Sequence, residues 1–105
     1  MPQIHLWRDH SKRLTFDLAH VSADEYPAVC QSVVAEFALQ PESPLVLGID
    51  SMFREYRRDN QIVGLDWDIW KGFMVVAKTT VSESLVQDIA IWLSGSQWAN
   101  LGCST

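Results

Sequence analysis

Apolar and polar residues alternate over "RLTFDL", residues 13–18: Leu14, Phe16 and Leu18 fall on one side, Thr15 and Asp17 on the other. That period belongs to a strand with one buried face. With the short stretch "IHLW" at 4–7 and the turn-forming "RDHSK" between them, it predicts a β-hairpin. From residue 22 the period changes. Tyr26, Cys30, Val33, Val34 and Phe37 recur at helical intervals, and Ser22 with Glu25 has the spacing of a capping box, so a first helix is predicted here. Pro27 fits if the regular helix begins at that residue, and the two prolines of "QPESP" end it.

Residues 45–58 ("LVLGIDSMFREYRR"), the "QIVGLDWDIW" stretch that follows, and residues 73–79 ("FMVVAKT") read as three consecutive strands. Asp59-Asn60 and Lys71-Gly72, pairs suited to tight turns, join them. A second capping box at Thr80 and Glu83 then opens a helix whose apolar stripe is Leu85, Val86, Ile89, Trp92 and Leu93, closed by Gly95. Residues 96–105 are expected to form a tail tethered by Trp98 and Leu101. The pattern therefore predicts one α+β domain over residues 1–105. Its elements run β-β-α-β-β-β-α, with an antiparallel sheet of about five strands and both helices on one face.

The hairpin around Asp59-Asn60 allows two registers, which place different side chains together. A two-residue loop pairs Arg58 with Gln61 and sets Met52 and Arg54 beside Leu65 and Trp67. A three-residue loop of Arg58, Asp59 and Asn60, with Asn60 left-handed, pairs Phe53 with Leu65, Ser51 with Trp67 and Ile49 with Ile69. The second choice separates the faces. Its apolar side can meet the helices, and Asp50, Met52, Arg54, Tyr56, Ile62, Asp66, Asp68 and Trp70 gather on the other. Because an unpaired carboxylate in a core costs several kcal/mol, to order of magnitude, the three-residue loop is the expected register.

Composition narrows the function. The chain has 105 residues, 48% apolar and 20% charged, which suits a globular domain with one core. Its 13 acidic and 8 basic residues give a net charge of −5, which repels phosphate backbones and argues against nucleic acid as a partner. Cys30 and Cys103 form no CxxC pair and are expected as free thiols. No signal-peptide pattern or membrane-length apolar run occurs, so no membrane association and cytoplasmic residence are expected.

No glycine-rich phosphate loop, nucleophile elbow or zinc spacing is present. No cofactor, metal site or catalytic residue is therefore assigned. Asp66 and Asp68, two apart on a strand, could hold a hard cation or exchange a proton, and Asp9 with His10 could touch a metal; both patterns are common on solvated surfaces. Tryptophan, tyrosine and arginine dominate binding hot spots, so Asp50, Arg54, Tyr56, Asp66, Asp68 and Trp70 are read as one partner-binding patch.

A small acidic α+β chain with the hairpin "GLDWDIWKGFMVVA" followed by the helix "SESLVQDIAIWL" resembles bacterial immunity proteins and short bacterial α+β proteins of similar layout. The resemblance implies a stoichiometric inhibitor of a basic toxin: a non-catalytic protein-binding module whose aspartates meet cationic side chains. Two alternatives follow from the residues. One is a homodimer or accessory subunit that buries its aromatics by self-association, and the other a small carboxylate-dependent enzyme.

Overall fold

A computed structural model describes residues 5–100, with Asn100 described by its backbone alone. Met1–Ile4, Leu101 and Cys103 lie outside the described residues, and with them one end of the first predicted strand and one of the expected tail anchors. The strands are β1 (Leu6–Arg8), β2 (Leu14–Leu18), β3 (Gln40–Pro41), β4 (Val46–Leu47), β5 (Ser51–Arg58), β6 (Gln61–Asp68) and β7 (Gly72–Ala77). Helix α1 spans Tyr26–Phe37 and α2 Glu83–Ser94. All pairings are antiparallel, in the order β1-β2-β7-β6-β5-β3, with β4 also on β5. The architecture is thus α+β with an open antiparallel sheet, of seven strands rather than about five.

The two additional strands come from the edge. Residues 45–58 do not form one strand: the chain reverses at Gly48, Ile49 and Asp50, the Gly48 amide donates to Ser51 O at 2.8 Å, and β4 folds back onto β5. Gln40 and Pro41 pair with the other half of β5, so two short pieces share one edge. Between them the Ser43 hydroxyl accepts from the Glu55 amide at 2.9 Å, and Ser43 O accepts from Arg54 Nε at 2.9 Å. A proline cannot donate to a ladder, which suits Pro41 to this outermost position.

Helix α1 begins where the sequence places it. The Ser22 amide donates to Glu25 Oε1 at 2.9 Å and the Glu25 amide to Ser22 Oγ at 3.3 Å, a reciprocal pair one turn ahead of Pro27. At the other end Ala38 takes a left-handed conformation (φ 55°). Helix α2 differs from expectation. A short 3-10 turn at Thr80–Ser82 precedes it, the Thr79 amide donates to Ser82 Oγ at 3.2 Å, and Ser82 Oγ donates back to Thr79 O at 2.6 Å. Thr80 and Glu83 make no box; Glu83 instead meets Arg8 at 2.7 Å across the surface.

Both helices cover the same face of the sheet. That face presents Leu14, Phe16, Leu18, Val63, Leu65, Phe73 and Val75, all buried, to Val29, Val33, Leu85, Val86, Ile89 and Leu93. Burial of each large aliphatic or aromatic side chain contributes about 1.5–3 kcal/mol, which makes this layer the main source of stability. Polar groups entering it are matched: the Tyr26 hydroxyl donates to Leu65 O, and Trp67 Nε1 donates to Val21 O at 2.8 Å. Phe37 and Trp92 join the helices edge to face at 5.9 Å.

The hairpin of β5 and β6 takes the register that the sequence reading set aside. Arg58 pairs with Gln61, Tyr56 with Val63, Arg54 with Leu65 and Met52 with Trp67, around a two-residue loop in which Asp59, not Asn60, is left-handed (φ 55°). Leu65 and Trp67 still face the helices, and Asp66 and Asp68 still face away. The error was confined to β5: Phe53 points outward and is 45% exposed, while Met52, Arg54 and Tyr56 lie on the helix side. The solvation argument for the other register required the helices to cover β5, and they leave it partly open. Arg54 accordingly reaches a polar partner at the edge and is not sealed in a core.

Candidate functional site

The six residues read as one patch occupy three places. Arg54 and Tyr56 lie on the helix side of β5, Asp66 and Asp68 on the outer face of β6, and Asp50 and Trp70 at the end of the sheet where β4 turns into β5 and β6 into β7.

The outer face is ordered in rows by the ladder pairings. One row crosses the sheet as Val46, Phe53, Asp66, Met74 and Asp17, and the next runs from Ser51 through Asp68 to Gly72. Toward the opposite end Arg57 pairs with Ile62, and the Lys78 amide donates to Ile62 O at 3.0 Å. Arg57 and Lys78 thus lie toward one end, and Asp68, Trp70 and Lys71 at the other. A trough of about 300 Å³ lies between them, bounded by Trp7, His10, Asp66, Lys71, Met74 and Lys78. Trp7 donates from Nε1 to Asp17 Oδ1 at 2.8 Å, and Lys71 Nζ sits 4.7 Å from the Trp7 ring centroid.

Asp66 is the perturbed group of this face. Its Oδ1 is buried and has no hydrogen-bond partner among the described residues. Burial pushes its carboxyl up to about 6, against the opposing pull of Lys78. Gly64 makes this closeness possible: a Cβ there would lie 2.7 Å from Lys78 Cε and 3.1 Å from Asp66 Oδ1. Asp68 does different work. Its Oδ1 accepts from the amides of Trp70 at 2.9 Å and Lys71 at 2.5 Å, fixing the β6–β7 turn as an Asx motif. That turn presents Trp70 to solvent, 79% exposed.

The end of the sheet carries residues that the sequence reading did not single out. Leu45, Val46, Leu47, Ile49, Phe53 and Ile69 are all exposed, Ile49 completely so, and Ile69 is tied to this end by its amide, which donates to Asp50 O at 3.0 Å. The sequence predicts a single strand over residues 45–58; Gly48 and Asp50 are the signals that the chain turns within it.

On the helix side a second concavity of about 520 Å³ opens between α1 and the edge strands. Pro27, Val34 and Ala35 wall it from the helix and Leu45, Leu47 and Met52 from the sheet, with Arg54 and Tyr56 at its polar part. The Arg54 guanidinium carbon stands 5.5 Å from the Tyr56 ring centroid. Cys30 contributes to the wall as a thiol, pushed up to about 12 chiefly by burial. Its surroundings are those of a packing residue and not of a nucleophile. Burial likewise raises the Tyr56 phenol.

Among the described residues no group of three His, Cys, Asp or Glu side chains is placed to hold a metal ion. No described helix is long and apolar enough to cross a membrane. Comparison of the chain with protein-family models, with curated proteins and with solved structures finds no match.

Proposed function

We propose that this chain is a non-catalytic protein-binding module, an immunity-type inhibitor of a cationic partner such as a basic toxin, which docks through the acidic, apolar end of the outer sheet face. The observation that carries the reading is the contiguity of Phe53, Ile69 and Trp70, all exposed, with Asp50, Asp66 and Asp68. Large exposed apolar groups beside carboxylates, with Lys71 as a cation in the same turn, suit a hot spot with a steering rim. The net charge of −5 adds long-range attraction for a basic partner. Arg54 and Tyr56, on the other face, have no part in this surface.

The test is affinity capture from native lysate at low and moderate salt, with wild-type protein beside the double variant Ile69→Ser, Trp70→Ser. A basic protein retained by the wild type, weakened by salt and lost with the double variant is the expected result. Equal retention by both proteins would remove this surface from consideration. A second reading, self-association, draws support from Leu45, Val46 and Leu47, which stand exposed on or beside the free edge strand β4. Sedimentation velocity at micromolar concentration separates the two, since a homodimer sediments as such without any partner. Carboxylate catalysis has less to support it, because Asp68 is already committed to its turn.

A further inference from the structure

We infer that the concavity between α1 and the β3–β4 edge is a binding site for a small amphipathic monocarboxylate, its apolar body lying against Val34, Leu45, Leu47 and Met52 and its carboxylate meeting the Arg54 guanidinium. Four observations converge on this. The concavity, about 520 Å³, falls within the range of small-molecule sites, and its wall is mostly apolar with a few polar groups at one part. Arg54 is a cation set among these apolar side chains, and no described carboxylate pairs with it; the ion pairs of the described residues are Arg8–Glu83 and Arg57–Glu42. The guanidinium is held in place, since its Nε donates to Ser43 O at 2.9 Å while its carbon stands 5.5 Å from the Tyr56 ring centroid. That bond uses one donor and leaves the Nη pair to offer the planar fork that a carboxylate accepts.

The walls explain why the ligand should be apolar beyond its charged end. Leu45 and Leu47 are 44% and 69% exposed, so an aliphatic body laid across them removes from water a surface that the chain alone leaves wet. Cys30, Pro27 and Ala35 add no charge on the opposite side. A dianion is disfavoured because a single guanidinium faces the site, and a cation is repelled by it.

Isothermal titration of the purified chain with sodium octanoate and, in parallel, 1-octanol tests the assignment. Octanoate is expected to bind about tenfold more tightly than the alcohol or better, the margin of a charge-assisted hydrogen bond. Arg54→Met should abolish that preference while retaining the weaker affinity for octanol, a ratio that mere loosening of the edge loop would not change. Ala35→Trp, at an exposed helix position facing the concavity, should exclude both ligands and leave the fold intact. Absence of octanoate binding, equal affinity for the two ligands in the wild type, or an unchanged preference in Arg54→Met would each overturn the inference.

Discussion

Strands β5 and β6 run side by side over eight residue pairs, yet the same face of the two strands meets different surroundings. In β6, Val63 and Leu65 are wholly buried beneath the helices. Their partners in β5 are Tyr56, which is buried, and Arg54, which is only half-buried and bonded to the edge loop. The helices pack over β2, β7 and β6, and coverage thins at β5. Polarity therefore reports position in β6, where a misplaced charge would be sealed in. In β5 it does not, because a side chain on the helix side can still reach water or a loop carbonyl.

That contrast is open to direct disruption, and the largest effect belongs to the covered half. Leu65→Ala should lower stability by about 3 kcal/mol, in the range for a leucine deleted from a tightly packed core, as a shift in urea midpoint without change of slope. Arg54→Ala, its ladder partner in β5, should cost about 1 kcal/mol or less, the worth of one loop hydrogen bond and some stem packing. Similar losses from both substitutions would mean that the helices cover the two strands equally. Next comes Gly72→Ala at the start of β7, expected to cost about 2–3 kcal/mol by the same measurement. The residue has φ +74°, and a Cβ would come within 2.4 Å of Leu18 O and 2.7 Å of Ala19 O, so strain and collision act together.

The same contrast sets how far the sequence could be read. Periodicity placed both helices, the β2 and β7 strands and the outward aspartates of β6, because those segments sit beneath full helical cover and apolar spacing there has one low-energy solution. Ser22 and Glu25 revealed the start of α1, since a capping pair is local chemistry that needs no tertiary knowledge. The β5 register was not legible. Choosing it required knowing where the helices end, and burial energetics presumed a covered face that Met52 and Arg54 do not have. That shift divides the candidate site in part, moving Arg54 and Tyr56 to the helix side and Phe53 outward, while the turns at residues 48–50 and after Asp68 set Asp50 and Trp70 at the end of the sheet. The break at Gly48 is hidden for a related reason: apolar residues on both sides of it suit one continuous strand, and only the tertiary fold leaves Leu47 and Ile49 exposed at a turn.

Asp66 faces outward, yet its carboxylate is largely enclosed. Asp66 has its folded pKa raised to about 6 from an ordinary 3.8, so its neutral form is the one favoured by folding. Its contribution is fully present below about pH 3.8 and is lost as pH rises through about 6. At pH 7.5 the ionised group should therefore cost roughly 3 kcal/mol relative to acid conditions. Asp66→Asn should raise stability by up to about that amount at pH 7.5 and by almost nothing at pH 4, as read from urea midpoints at the two pH values. Equal effects at both pH values would show that Asp66 is solvated, and that β6 is no more covered on its outer face than β5.

The smallest effect is expected at the turn between β4 and β5. Ile49 is an aliphatic residue with 101% relative exposure, so folding removes none of its surface from water and its replacement forfeits no transfer energy. Ile49→Ser should thus change stability by less than about 0.5 kcal/mol, whereas Val63→Ser in β6 should cost several times as much. Gly48 and Ser51, which close the turn on either side, are untouched by the substitution. A loss above about 1 kcal/mol for Ile49→Ser would mean that this side chain is buried in solution by something outside the fold. If the loss grew with protein concentration, a second copy of the chain would be the covering surface, since only association couples stability to concentration in that way.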